Sequence, residues 1–149
     1  MPKVLFIGLG TMGFPMAGHL CKDYEVTVYN RTTSKSLKWI AKYNGSYIED
    51  LKLTNTKYDF VISCIGNDQD LIEVTTSDHG CFNYLHDNTT FIDHSTVSPK
   101  IVKFISQEAN KKNINFLDAP ISGGEVGAIN GALSIMVGGI ENDYYQALD

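Results

Sequence analysis

Short apolar runs alternate with amphipathic stretches along the whole chain, and this alternation is the strongest constraint on its fold. Strands that alternate with helices form βαβ units, whose strands lie parallel in one sheet. The sequence therefore predicts an α/β fold with a doubly wound, mostly parallel sheet covered by helices on both faces. The predicted strands span residues 4–7, 26–29, 60–65, 90–93, 115–118 and 133–137, and the predicted helices span 12–22, 34–43 and 71–74, with further helices from Pro99 and from Glu141.

Residues with known preferences for helix ends support these helices. Thr11 is placed to cap the first helix, whereas Ser98 can cap the helix that Pro99 opens. Asn44 and Gly45 end the second helix. Its inward face is predicted to hold Leu37, Ile40 and Ala41.

Composition excludes several classes of function. The 149 residues suit one domain, 1–149, and 43% hydrophobic with 19% charged residues indicates a globular chain. Scattered basic residues and a net charge of −5 give no support for a nucleic-acid partner. No run approaches the roughly 20 apolar residues of a membrane span. Three dispersed cysteines and four dispersed histidines predict no disulfide and no metal site, and we expect a cytoplasmic protein.

A glycine motif directly follows the first predicted strand and opens the first predicted helix. In such a turn the first glycine permits the tight bend, and the second lets the backbone approach a diphosphate. The third lets helix and strand pack closely, and the free N–H groups of the helix face the phosphates. The motif predicts a Rossmann-type dinucleotide-binding domain, and its residues are Gly8, Leu9, Gly10, Thr11, Met12 and Gly13.

The end of the second strand bears on the choice of cofactor. NAD sites usually place a carboxylate there, about 20 residues beyond the motif, to bind the ribose 2′-hydroxyl. Here the segment is Asn30, Arg31 and Thr32, and no carboxylate is present in it to repel a 2′-phosphate. Arg31 offers a charged fork suited to phosphate, and its neighbours can donate hydrogen bonds. The sequence therefore predicts NADP as cofactor in preference to NAD.

Three segments occur in the order Phe6–Leu20, Asp93–Pro99 and Asp118–Gly124. In sequence and in order they resemble the β-hydroxyacid dehydrogenase family, which includes the 3-hydroxyisobutyrate dehydrogenases. The Asn30–Thr32 triplet resembles the NADPH-using members, such as glyoxylate and succinic semialdehyde reductases. It also occurs in 6-phosphogluconate dehydrogenases, but these usually carry a glycine-rich stretch at the second segment. The resemblance runs from Lys3 to the end of the chain.

The resemblance implies roles for residues outside the glycine motif. Ile65, Gly66 and Asn67 would border the ribose and adenine side of the cofactor, and Thr96 would lie near the nicotinamide. The Ser122–Gly124 loop (Ser122, Gly123 and Gly124) would hold the carboxylate of a small substrate. From the residues alone, this Ser-Gly-Gly loop is either a nest of N–H donors for an anion or a plain turn.

The resemblance also implies an oxidoreductase that transfers hydride between a nicotinamide and a small 3-hydroxy acid or semialdehyde. Its general acid/base would be a lysine beyond Asp149, on a helix that follows the cofactor domain. An all-helical second domain would close the active site and often builds a homodimer. We expect the chain to be truncated near the C-terminal end of its domain and to have little turnover alone. Lys100 and Lys103 are interpreted as solvated charges and not as a substitute for this general acid/base. The alternatives are a non-catalytic dinucleotide-binding module and a remnant that binds nothing.

Overall fold

The computed structural model describes residues 1–54 and 56–148, so Asp149, the last residue of the predicted domain, lies outside the described residues. Its main sheet has seven strands in the order β3-β2-β1-β4-β5-β6-β9, and a second sheet pairs β7 with β8. The strands are β1 Lys3–Ile7, β2 Glu25–Tyr29, β3 Ser46–Tyr47, β4 Phe60–Ser63, β5 Thr90–Asp93, β6 Asn115–Asp118, β7 Ile121–Ser122, β8 Ser134–Ile135 and β9 Gly138–Gly139. The helices are α1 Gly13–Leu20, α2 Thr33–Lys42, α3 Asp68–Thr75, α4 Pro99–Lys111, α5 Gly124–Ile129 and α6 Glu141–Gln146, with 3-10 turns at Leu51–Leu53 and Cys81–Asn83.

The strand order confirms the predicted doubly wound sheet. The chain builds outward from β1 to β2 and β3, and then returns to place β4 on the other side of β1. All neighbours from β3 to β6 pair in parallel, and β9 alone among the described strands of this sheet pairs antiparallel, with β6. The reversal of strand order lies between β1 and β4, and ligands bind at such a point in open α/β sheets.

Helices cover both faces of the sheet, because alternate residues of each strand point to opposite sides. Leu5 and Ile7 of β1 join the cluster covered by α3 and α4. Val4 and Phe6 join the opposite cluster, covered by α1 and α2. Buried on both faces, β1 therefore needs the continuous apolar run that its sequence has.

The predicted helix ends are correct in part. Ser98 caps α4, since its Oγ accepts a hydrogen bond from the Ile101 amide at 3.3 Å. Thr11 does not cap α1; Met12 occupies the cap position and supplies no side-chain bond. In α2 the predicted inward positions of Leu37 and Ala41 are wrong, because both are exposed. Trp39 is fully buried instead, since burying this largest side chain removes the most apolar surface from water.

The predicted strand at 133–137 is also wrong. Only Ser134–Ile135 forms a strand, and it pairs antiparallel with β7 outside the main sheet. Gly138–Gly139 takes the sheet edge beside β6, where a Cβ on Gly139 would lie 2.7 Å from Leu117 Cδ2. Glycines therefore occupy the sheet edge beside β6, and the apolar residues of the predicted strand at 133–137 do not.

The structure also bears on the membrane span and the metal site that the sequence does not predict. Within the described part of the chain, no helix is long and apolar enough to cross a membrane. Over the same residues, no group of three or more His, Cys, Asp or Glu side chains could hold a metal ion.

Candidate dinucleotide-binding site

A cleft of about 460 Å³ opens at the C-terminal ends of β1, β2 and β4, beside the reversal of strand order. Seven of the sequence-predicted cofactor residues line it, namely Gly8, Gly10, Asn30, Arg31, Thr32, Ile65 and Gly66. The other lining residues are Ile7, Tyr29, Lys35, Glu49, Asp50, Leu51, Cys64, Asp70, Glu73, Val74 and His79.

Gly8 makes the bend that begins the cleft. Its φ of +103° lies in the region that side chains rarely adopt, and a Cβ would collide with the Cys64 carbonyl oxygen. Its amide donates to the Tyr29 carbonyl at 2.9 Å. The turn therefore draws the ends of β1, β2 and β4 together, which requires glycine.

Gly10 and Gly13 have different surroundings. A Cβ on Gly13 would collide with the Gly8 carbonyl oxygen, so this glycine allows α1 to pack directly on the turn. A Cβ on Gly10 would meet no atom within 4 Å, although Gly10 lines the cleft. The space that this Cβ would occupy is open and borders the cleft. A turn whose backbone approaches a diphosphate needs such open space.

Among the remaining motif residues, Leu9 holds the turn in place. The Leu9 amide donates to Asn30 Oδ1 at 2.9 Å, and the Leu9 side chain is buried. Thr11 is exposed and Met12 is half-buried. The first N–H groups of a helix lack intrahelical acceptors, and α1 begins directly after this turn. The donor set therefore fits the diphosphate of a dinucleotide.

Positive charge lies at the β2 end of the cleft. Asn30 Nδ2 donates to the Thr32 carbonyl at 3.1 Å, which fixes the segment that carries Arg31. The Arg31 side chain is 73% exposed, and its Nη1 lies 3.4 Å from Asp70 Oδ1. Lys35, in the first turn of α2, also lines the cleft. Sequence reasoning missed Lys35, although its spacing of four residues from Arg31 at a helix start is a usable signal.

The Asn30–Thr32 segment carries no carboxylate, but other segments of the folded chain bring carboxylates to the cleft. Four carboxylates line the cleft, Glu49 and Asp50 after β3 and Asp70 and Glu73 on α3. Burial of its hydroxyl raises the pKa of nearby Tyr29, and the negative charges of Asp50 and Glu73 raise it further. Tertiary packing brings these groups to the cleft from separate segments, so the sequence around Arg31 contains no sign of them.

Asn67 supports the cleft rather than lining it. As the cap of α3, its Oδ1 accepts from the Asp70 amide at 2.9 Å and its Nδ2 donates to Asp70 Oδ2 at 3.1 Å. The Ser98 amide donates to Asp68 at 2.9 Å, and this backbone hydrogen bond lowers the pKa of the Asp68 carboxyl. These bonds fix the start of α3 against α4.

A buried polar network lies at the end of β4 and β5. Asp93 Oδ1 accepts from Ser63 Oγ at 2.8 Å and from the Ser95 amide at 3.0 Å. Its Oδ2 is buried and has no hydrogen-bond partner among the described residues, and burial raises the pKa of this carboxyl. Ser95 Oγ in turn accepts from the Ile65 amide at 2.8 Å. The network therefore fixes Ile65 at the cleft.

Thr96 and His94 flank this network. Burial lowers the pKa of His94, so its ring is neutral and Nδ1 donates to the Ala119 carbonyl at 2.7 Å. Thr96 is exposed and does not line the cleft. Thr96 therefore follows the C-terminal end of β5, outside the cleft itself.

The Ser122–Gly124 loop lies outside the cleft, at the junction of β7 and α5. Gly123 and Gly124 have φ values of +135° and +62°, so this turn favours glycine at both positions. His19 on α1 contacts the far end of the helix that follows this loop: Nε2 lies 2.9 Å from the Ala128 carbonyl and 3.0 Å from that of Ile129. The first helix therefore contacts α5, whose start carries this loop.

Comparison with known proteins agrees with this arrangement. An uncharacterized oxidoreductase of Shewanella frigidimarina is 47% identical over 140 residues, which are 93% of this chain and 48% of that protein. The mitochondrial 3-hydroxyisobutyrate dehydrogenase of Rattus norvegicus is 34% identical over 145 residues, 95% of this chain and 42% of the enzyme. The chain thus spans about half the length of the curated relatives it matches.

Solved structures share the fold. The 3-hydroxyisobutyrate dehydrogenase of Mycobacterium tuberculosis, solved with L-serine, has a TM-score of 0.91 and 27% identity, covering 99% of this chain and 50% of the enzyme. Psf3 in complex with NADP+ and 2-OPP has a TM-score of 0.88 and 25% identity, covering 95% of this chain and 50% of Psf3.

The family match covers nearly the whole chain. Residues 3–149 match the family described as the NAD binding domain of 6-phosphogluconate dehydrogenase. The glycine turn, the cleft and the strand order described above agree with a dinucleotide-binding domain. The chain therefore belongs to this family of NAD-binding domains, and its relatives are 3-hydroxyisobutyrate dehydrogenase-like oxidoreductases.

Proposed function

We propose that this domain binds NADP in preference to NAD, with the diphosphate at the Gly8–Gly13 turn and the 2′-phosphate beside Arg31. The guanidinium of Arg31 at the β2 end of the cleft is the observation that carries this proposal. Lys35 adds a second cation there. Two cations favour a dianionic phosphate over a hydroxyl, and the neutral donors Asn30 and Thr32 suit its oxygens.

The proposal extends to the activity of a full-length protein. NADP bound in this cleft supplies the hydride acceptor or donor for a small 3-hydroxy acid or semialdehyde, as the names of the relatives suggest. The Ser122–Gly124 loop then binds the substrate carboxylate, and Thr96 lies near the nicotinamide. Ser122 is exposed on the end of β7, where its hydroxyl is available to a ligand.

Turnover requires a general acid/base, which the resemblance assigns to a lysine beyond Asp149. Lys100 and Lys103 are exposed on α4 and do not line the cleft, so neither is suited to replace it. The 149-residue chain should therefore bind cofactor without measurable turnover of small semialdehydes. Robust NADPH oxidation by this chain would contradict the assignment. The cytoplasmic location and the possible homodimer stay predictions.

Titration of the chain with NADPH and NADH, followed by nicotinamide fluorescence, tests the cofactor preference. Arg31→Gln should weaken NADPH binding about tenfold or more, because hydrogen bonds to charged groups contribute about 1.5–3 kcal/mol. NADH binding should change little. Lys38→Gln removes the same charge from an exposed position of α2 that does not line the cleft, so it is the matched control. Equal affinity of wild type and Arg31→Gln for NADPH would refute NADP preference through this residue.

A further inference from the structure

The ion pair between Arg31 and Asp70 joins two elements that border the cleft. Arg31 follows β2 and Asp70 lies in the first turn of α3, 39 positions later in the chain. Nη1 of Arg31 lies 3.4 Å from Oδ1 of Asp70, and both residues line the cleft. The guanidinium that would bind a 2′-phosphate therefore already has an anionic partner.

Asp70 is the fixed member of this pair. Its Oδ2 accepts from Asn67 Nδ2 at 3.1 Å, and its amide donates to Asn67 Oδ1 at 2.9 Å. The Asp70 side chain is 30% exposed, whereas that of Arg31 is 73% exposed. The carboxylate consequently stays at the cleft while the arginine side chain is free to move.

We propose that Asp70 is a specificity-determining residue that competes with the 2′-phosphate of NADP for Arg31 and so narrows the preference for NADP over NAD. This inference rests on the proposed NADP site. Asp70 acts through Arg31 and through its own charge, and it need not contact the nicotinamide half of the cofactor.

The sign of the effect follows from the charges. A phosphate monoester carries about −1.5 to −2 charges near pH 7, so a fixed carboxylate beside its binding position repels it. The phosphate must also share or displace the partner of Arg31. A 2′-hydroxyl carries no charge and can donate to a carboxylate, so Asp70 penalises NADPH and not NADH.

The test compares Asp70→Asn with the wild-type chain in the same fluorescence titrations. NADPH should bind about two- to fivefold more tightly to the variant, the range that corresponds to loss of an exposed ion pair. NADH should bind equally or more weakly. The gain should shrink as salt rises, because screening shortens the range of the repulsion. It should also shrink when Arg31→Gln is already present.

Glu73→Gln is the matched control, since Glu73 lies one turn further along α3 and lines the same cleft. A smaller gain in this variant supports specific competition for Arg31, and an equal gain overturns it. Weaker NADPH binding by Asp70→Asn also overturns the proposal, because Asp70 would then orient Arg31 for phosphate. Asp70→Ser should reproduce the gain if Asp70→Asn unfolds, as judged by thermal denaturation.

The two proposals fail in distinguishable ways. If Arg31→Gln leaves NADPH binding unchanged, the NADP site itself is wrong. If Arg31→Gln weakens NADPH binding but neither Asp70 variant strengthens it, the site stands and the competition by Asp70 is refuted.

Discussion

Replacement of Gly10 with alanine should separate cofactor binding from folding. An added Cβ at Gly10 would meet no atom of the chain within 4 Å, and Gly10 does not have a positive φ. Alanine at a compatible glycine position stabilises a protein by about 0.4–1 kcal/mol, because the unfolded chain loses conformational freedom. For a chain of this size, the thermal midpoint should rise by about 1–4 °C.

The same methyl group should weaken NADPH binding. It would occupy the part of the cleft where the backbone must approach the diphosphate, and it would lengthen the hydrogen bonds from the turn. Loss of one charge-assisted hydrogen bond reduces the binding free energy by about 1.5–3 kcal/mol, which raises the dissociation constant about 10- to 100-fold. Both cofactors share the diphosphate, so NADH should lose affinity by a similar factor.

The assay combines thermal denaturation with NADPH titration of the same preparations. Gly138→Ala is the control, since Gly138 also lacks a positive φ, lies away from the cleft and has only the Asp118 carbonyl oxygen within 4 Å of an added Cβ. A folded Gly10→Ala variant with wild-type affinity would refute the placement of the diphosphate at this turn. Unfolding of the variant would refute the reasoning about the free space.

Two further predictions concern polar side chains outside the cleft. Burial raises the pKa of Asp93 above its unfolded value, so its contribution to stability is present below about pH 4 and is lost as pH rises through the folded pKa. Urea unfolding measured across pH should show this loss in the wild type and not in Asp93→Asn. Parallel pH profiles of the two proteins would contradict the prediction. His19→Ala removes the contact of Nε2 with two carbonyls near the end of α5, worth about 1 kcal/mol, so amide hydrogen exchange in α5 should accelerate while that of α2 stays constant. Unchanged exchange in α5 would show that His19 does not hold this helix.

The sequence predicts the parts of the fold that local pattern determines. Five of the six predicted strands lie in the main sheet, because a run buried on both faces must be apolar throughout. The strand at 133–137 fails because Ile135, Met136 and Val137 are exposed in this chain. Their apolar character indicates burial, but the described residues provide no surface that covers them.

The site divides in the same way. Gly8, Gly10 and Gly13 are recognisable because their roles depend on backbone geometry within six residues. Asp70 is not recognisable, because the start of α3 and the segment after β2 approach each other only in the folded chain. The two partners lie 39 positions apart, so no local spacing in the sequence indicates their ion pair.

The two ends of the cleft therefore differ in which substitutions the fold tolerates. At the glycine turn, Gly8 and Gly13 pack against backbone atoms, so most substitutions there disturb the fold together with the site. At the other end, Arg31 and Asp70 retain solvent contact and lie outside the buried core, so replacing either residue should leave that core intact. Exposed ion pairs contribute only about 0–1 kcal/mol to stability, so changes of charge there cost the fold little. Such changes can therefore shift the balance between NADP and NAD without loss of the shared diphosphate site. Cofactor preference in this domain should consequently depend on ionic strength more strongly than cofactor binding at the turn does.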